Sequence, residues 1–109
     1  MRQWLVDPKH MCRKHLLGEH VEHHMFVGSI NKHISIKGYV EKNLLEPLLL
    51  EKRHAELVEE MIARGYNHKS KLPEIDWEYL RSTGHLDHKI NKEKAEKELF
   101  GRCKECKER

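Results

Sequence analysis

The sequence predicts an all-α fold, a small single-domain bundle of three to four helices. Helix start and stop residues bracket three regions: Asp7-Pro8, Glu46-Pro47 to Arg64-Gly65, and Asn91 to Gly101. Apolar residues recur inside these regions at helical spacing, and the mixed stretch between Asn31 and Asn43 reads as an irregular connection. A chain of 109 residues makes one domain over residues 1–109, and with 38% hydrophobic and 36% charged residues its core is thin. A chain of this size gains from a metal or cofactor staple.

Asp7 is a natural N-cap and Pro8 fits the first helical position, so a first helix is predicted from there to about Ile30. Leu17, Val21, His24 and Gly28 share one of its faces. Gly18 and Gly28 weaken this helix intrinsically, and close packing against a neighbouring element is expected at both. A second helix starts near Glu46-Pro47 and ends at Arg64-Gly65, where glycine suits the C′ position. Its inner face uses Leu50, Leu57, Val58, Met61 and Ile62, with Glu56, Glu60, Lys52 and Arg53 in solvent. Pro73 breaks what precedes it. Asp76 caps a short helix from Trp77 to Arg81, which Ser82-Thr83-Gly84 ends, and Asn91 caps a final helix through Ala95 and Leu99.

A formal charge of +3 and ten histidines favour a polyanionic partner without naming one. No stretch has the roughly 18 apolar residues of a membrane span. Met1 to Val6 is too short for a secretory leader, so a cytoplasmic protein is expected. Nothing like a long apolar heptad seam argues for a dimer, and a monomer is expected. Three cysteines make an odd count that suits a reducing compartment and metal binding. Cys12-x-x-His15 and Cys103-x-x-Cys106 together form a Cys₃His set, the donors of a tetrahedral structural zinc that would tie the C-terminus to the first helix. The alternative is three unrelated reduced thiols, two of them in a frayed tail. His20, His23 and His24 lie beside the polar stripe of the first helix; they could form a second cluster, but the favoured reading is solvent-facing or phosphate-facing.

On a helix, Cys12, His15, Glu19 and Glu22 fall within about 80° of one another. A line of titratable groups like this marks a candidate site. Met1-Arg2, then His15-Leu16-Leu17-Gly18-Glu19, Glu22, Gly28 and Lys32-His33 resemble the first helix of the endonuclease V-like pyrimidine-dimer DNA glycosylases of phages. Arg53, Glu56-Leu57, Arg64-Gly65 and Tyr66-Asn67 resemble that family's second helix. The resemblance covers residues 1 to about 70; residues 71–109 hold short helices and the Cys-x-x-Cys tail.

The resemblance implies a DNA repair glycosylase with AP-lyase activity on double-stranded DNA carrying damaged or abasic sites. An α-amine attacks C1′ of the nucleotide, forms a Schiff base, and β-elimination breaks the strand. An α-amine titrates near 7.7–8.0 in reference peptides, against about 10.4 for lysine, so it is nucleophilic near neutral pH without burial. Carried over, the nucleophile is the amine of Met1, kept because Arg2 is bulky, and the carboxylate is Glu22. Arg2, His15, Glu19, Lys32 and His33 are the expected substrate-binding residues, and no cofactor serves the chemistry. The resemblance also implies a phage-encoded protein acting in an infected cell. The chain departs from the family where arginines beside Glu22 become Val21 and Met25, and the aromatic, basic C-terminal segment is missing. Two other readings stand: a zinc-stabilised module that binds nucleic acid or protein without catalysis, and a metal-dependent nuclease built on the histidine-rich helix.

Overall fold

Capping chemistry sets the helix boundaries. A computed structural model describes residues 1–68 and 70–109, and it is all-helical, with no strand among the described residues. Asp7 and Pro8 start only a 3-10 turn, Pro8–His10, in which the Asp7 carboxylate accepts from the Lys9 amide. The chain then becomes extended at Met11 and Cys12 before the long helix α1, Arg13–Asn31. Cys12 is its N-cap, its sulfur accepting from the His15 amide at 3.5 Å. The stretch expected to be irregular contains a short helix, α2 (Lys37–Glu41). Pro47–Leu49 forms a second 3-10 turn leading into α3, Leu50–Ala63, which ends with Gly65 at φ 82°. Helices α4 (Trp77–Thr83) and α5 (Lys92–Arg102) carry their expected caps, Asp76 and Asn91. A one-turn helix α6, Lys104–Glu108, ends the chain. Among the described residues there are thus six α-helices instead of three or four; the additions are single turns that hydrophobic periodicity cannot register.

The Cα trace spans 41 × 31 × 16 Å, so its thin direction has room for only about two layers of helix. The core is split accordingly. One apolar cluster joins Trp4, Val6, Met11, Leu16, Leu57, Met61 and Leu99. The other joins Phe26, Val27, Ile30, Ile36, Leu45, Leu50 and Leu80. Helix α1 serves both, one at each end, and packs along α3.

Between the two clusters the buried residues of α1 are Glu19, His20 and His23. The inward face is therefore Leu16, Glu19, His20, His23, Phe26, Val27 and Ile30, and Val21, on the face singled out from sequence, is 53% exposed. Gly18 and Gly28 are not close-packing sites, because a Cβ at either would meet nothing within 4 Å. On α3, Leu50, Leu57 and Met61 are buried, but Ile62 points outward and Arg53, expected in solvent, is 3% exposed. The physical reason is Glu19: an arginine can enter this interior because a buried carboxylate awaits it.

Candidate functional site

The N-terminal arm contributes three residues to the interior. Gln3, Trp4 and Val6 are buried, and the backbone at Leu5 between them is left-handed (φ 56°). The Gln3 amide donates to the Leu44 carbonyl (2.8 Å) and the Gln3 side-chain oxygen accepts from the Glu46 amide (2.6 Å). Its side-chain nitrogen lies 3.1 Å from His23 Nε2. The Trp4 amide donates to Glu19 Oε1 at 3.0 Å, and Arg53 holds the same carboxylate through Nε (2.5 Å) and Nη2 (3.1 Å). Two consecutive residues after Met1 are thus anchored to the middle of α1 and to the α2–α3 connection.

That anchoring sets the chain terminus beside Glu22. The Met1 amine lies 3.8 Å from Glu22 Oε1, with the two side chains 15% and 29% exposed. The separation is within ion-pair range and longer than a direct hydrogen bond. Val21 and Met25, exposed by about half, flank Glu22 on α1.

The other expected substrate-binding residues are not gathered here. Glu19 is enclosed by Trp4 and Arg53, so its carboxylate faces the interior. Arg2 pairs with Glu98 of α5 (3.2 Å) and lies 3.7 Å over the Trp4 ring, while its Nε is buried without a partner among the described residues. Lys32 and His33 sit past the end of α1, ten residues or about 15 Å along the axis from Glu22. His33 Nε2 lies 2.9 Å from Asp76 Oδ2 and stacks on Tyr79, tying α1 to α4. That hydrogen bond, followed by the Tyr79 amide, holds the Asp76 carboxyl below its usual range.

His15 belongs to a different centre. Cys12, His15, Cys103 and Cys106 each place one donor atom within 4.8 Å of the other three. Cys103 Sγ is 3.8 Å from Cys12 Sγ, and His15 Nδ1 is 3.1 Å from Cys12 Sγ and 3.5 Å from Cys106 Sγ. Tetrahedral zinc with ordinary bond lengths has S–S edges of about 3.8 Å and S–N edges of about 3.6 Å. The donors stand close to that frame, so these four residues could hold a metal ion. The Cys12 amide donates to Cys106 Sγ at 3.1 Å, a contact that supports a thiolate. Burial pushes the Cys106 thiol up to about 12, whereas the Cys106 amide draws Cys103 down. Burial likewise lowers His15, keeping its imidazole neutral.

A second cluster joins His20 and His24 of α1, His54 of α3 and His68 beyond α3, again with donor atoms within 4.8 Å; the sequence offered His20, His23 and His24 as its members and missed His54 and His68. His20 and His23 are buried, not solvent-facing or phosphate-facing. Burial first, then the neighbouring imidazoles, push His20 and His54 down to about 4. The sequence signal available was the i, i+4 spacing of His20 and His24; His54 and His68 share no local pattern with them.

With this geometry in place, the comparisons with known proteins decide the family. A family described as Pyrimidine dimer DNA glycosylase matches residues 1–74 of the 109. The chain belongs to the pyrimidine dimer DNA glycosylase family. The match supports glycosylase function of that general kind, with DNA as the substrate. It includes Met1, Glu19, Glu22 and Arg53, and stops before Asp76, α4, α5 and the Cys103–Cys106 pair. No curated protein and no solved structure shows significant similarity to the chain. Among the described residues, no helix is long and apolar enough to cross a membrane.

Proposed function

We propose that this family member is a DNA glycosylase and AP lyase acting on damaged or abasic sites in duplex DNA, with the Met1 amine as nucleophile and Glu22 as the catalytic carboxylate. The observation that carries the reading is the 3.8 Å approach of the Met1 amine to Glu22, inside the segment that defines the family. The amine forms a bond to C1′ as the bond from C1′ to the base, or to the abasic hydroxyl, breaks. Loss of the amine proton and opening of the sugar give a protonated imine. Glu22 stabilises that cation and moves protons, including the one lost from C2′ as the 3′ phosphate departs. Hydrolysis of the imine returns the free amine. The nucleotide must leave the base stack to reach the amine, which a poorly stacked lesion makes less costly.

The same proposal gives Cys12, His15, Cys103 and Cys106 a structural zinc. Three thiolates and an imidazole close the coordination shell, so the ion supplies no open position for water and serves to fasten α5 and α6 to the start of α1. Cys12 and Glu22 are ten residues apart on α1, about 15 Å, which separates the ion from the amine.

Borohydride trapping on a duplex with one abasic site tests the proposal, using protein with a free Met1. A covalent adduct is expected, absent when the amine is acetylated. Glu22→Gln is expected to slow strand cleavage by about 10²–10⁴-fold, the usual worth of a positioned acid–base group. Folded wild-type protein that binds the duplex and gives no adduct would sink the lyase reading in favour of a non-catalytic binding module.

A further inference from the structure

We infer that His20, His24, His54 and His68 form a second metal centre, an all-imidazole site for a divalent transition ion, with zinc the best fit. His20 and His24 are one turn apart on α1 and present their rings side by side, the spacing by which one helix face supplies two imidazoles to one ion. His54 comes from the facing helix α3, and His68 from the segment that follows it. His54 Nε2 lies 3.2 Å from His24 Nε2, and His68 Nε2 lies 2.9 Å from His20 Nε2. A tetrahedron of nitrogens around zinc has edges of about 3.3 Å, so both separations are close to ligand–ligand distances.

Ring proximity supports a shared centre. Ring centroids lie 4.8 Å (His20–His68), 4.9 Å (His20–His54) and 5.6 Å (His54–His68) apart. Four of the five pairs are steeply inclined, at 63–81°, and His20–His54 is stacked at 29°, so the four rings form a mixed cluster and not a stacked column. Two separate N–H···N hydrogen bonds would satisfy the pairs singly. They would not require four donor atoms from three parts of the chain to lie within 4.8 Å of one another. The site also stands where apolar packing between α1 and α3 is interrupted, with His20 and His54 both buried.

The donor set selects the ion class. Four neutral imidazoles suit zinc, copper, nickel or ferrous iron, and offer nothing to calcium or magnesium. Four protein ligands close the shell, so the ion would be structural. Residue 22 lies about 160–200° around α1 from residues 20 and 24, which puts this centre on the side turned away from Glu22. The inference stands independently of the lyase reading and of the thiolate site.

The test uses untagged full-length protein, since a histidine tag would add imidazoles. The protein is loaded by dialysis against zinc and freed of excess; bound zinc is counted by elemental analysis and its ligands by X-ray absorption. Two ions per chain with an average of about 1.5 sulfurs and 2.5 nitrogens each are expected if both centres fill. One ion bound by nitrogen alone would also uphold this inference, while rejecting the thiolate zinc. One ion with about three sulfurs and one nitrogen, or no ion at all, would overturn it. In the double variant His24→Asn/His68→Asn, the nitrogen-bound ion should vanish with the sulfur-bound one retained. The wild-type spectrum decides even if that variant does not fold.

Discussion

Arg53→Met isolates the contact that joins the N-terminal arm to the helix pair. Arg53 is 3% exposed and the Glu19 side chain is fully buried; the guanidinium holds both carboxylate oxygens, with the half-exposed Glu56 at 3.7 Å on its outer edge. Removing Arg53 leaves Glu19, among the described residues, with the Trp4 amide as its remaining hydrogen-bond donor. A buried charge stripped of its partner costs about 3–5 kcal/mol, whereas loss of an exposed pair costs about 0–1 kcal/mol. Against a typical total of about 5–15 kcal/mol, this variant should sit near the edge of folding. Glu19→Leu/Arg53→Met removes both charges and leaves the Trp4 amide unpaired, a cost of about 1–3 kcal/mol. The double variant should therefore be more stable than Arg53→Met. Urea unfolding followed by circular dichroism, at fixed free zinc because bound metal adds to apparent stability, measures both. A loss under about 1 kcal/mol for Arg53→Met, or a double variant less stable than the single, would refute the reasoning.

Gly18→Ala should raise stability by about 0.5–1 kcal/mol in the same assay, because α1 gains a better helix former and the new methyl meets nothing within 4 Å; a loss would show that the position is packed. Cys103→Ser/Cys106→Ser should abolish sulfur-bound zinc and speed amide exchange in α5 and α6 before α3, which is read by metal analysis and hydrogen exchange; unchanged exchange would remove the ion's fastening role. Chelator-treated protein should lose stability as pH falls from about 6.5 towards 4. His20 and His54 have folded values near 4, so in this window the unfolded chain takes up protons that the folded chain refuses. Urea midpoints that stay flat between pH 6.5 and 4 would contradict that burial.

Helix existence was largely legible, because it depends on local chemistry: Asp76, Asn91 and Gly65 act where their side chains or lack of one dictate. The Asp7-Pro8 signal also acted locally but started a 3-10 turn, since Cys12 supplied a second cap closer to the apolar run. What the pattern concealed was which way α1 faces. Leu16, Phe26, Val27 and Ile30 mark the inner face, but three polar residues interrupt it, so apolar periodicity loses the stripe midway. Those residues are buried because Gln3, Trp4, Arg53, His54 and His68 answer them from distant parts of the chain, and such partnerships leave no local trace. The Cys₃His set was legible because each half is a short-spaced pair; the four-histidine set has one such pair and two isolated members.

The placement of the Met1 amine follows from this interrupted interior. A terminal amine has no helix or strand of its own to fix it, so its position must be imposed by the residues that follow. Gln3 and Trp4 impose it by hydrogen bonds to the α2–α3 connection and to Glu19, deep in the molecule. An apolar face on α1 could bury Trp4 but would offer no acceptor for its amide, and the arm would be free to slide. The polar middle of α1 therefore weakens the core as an apolar contact and strengthens it as a register for the N-terminus. The proposed ions flank that register: the thiolate site lies at the start of α1, and the imidazole site binds α1 to α3 beside Glu19 and His23. The thiolate ion would fasten the C-terminal turn to the apolar cluster around Trp4 and Leu16, and the imidazole ion would restore rigidity where α1 and α3 have given up hydrophobic packing.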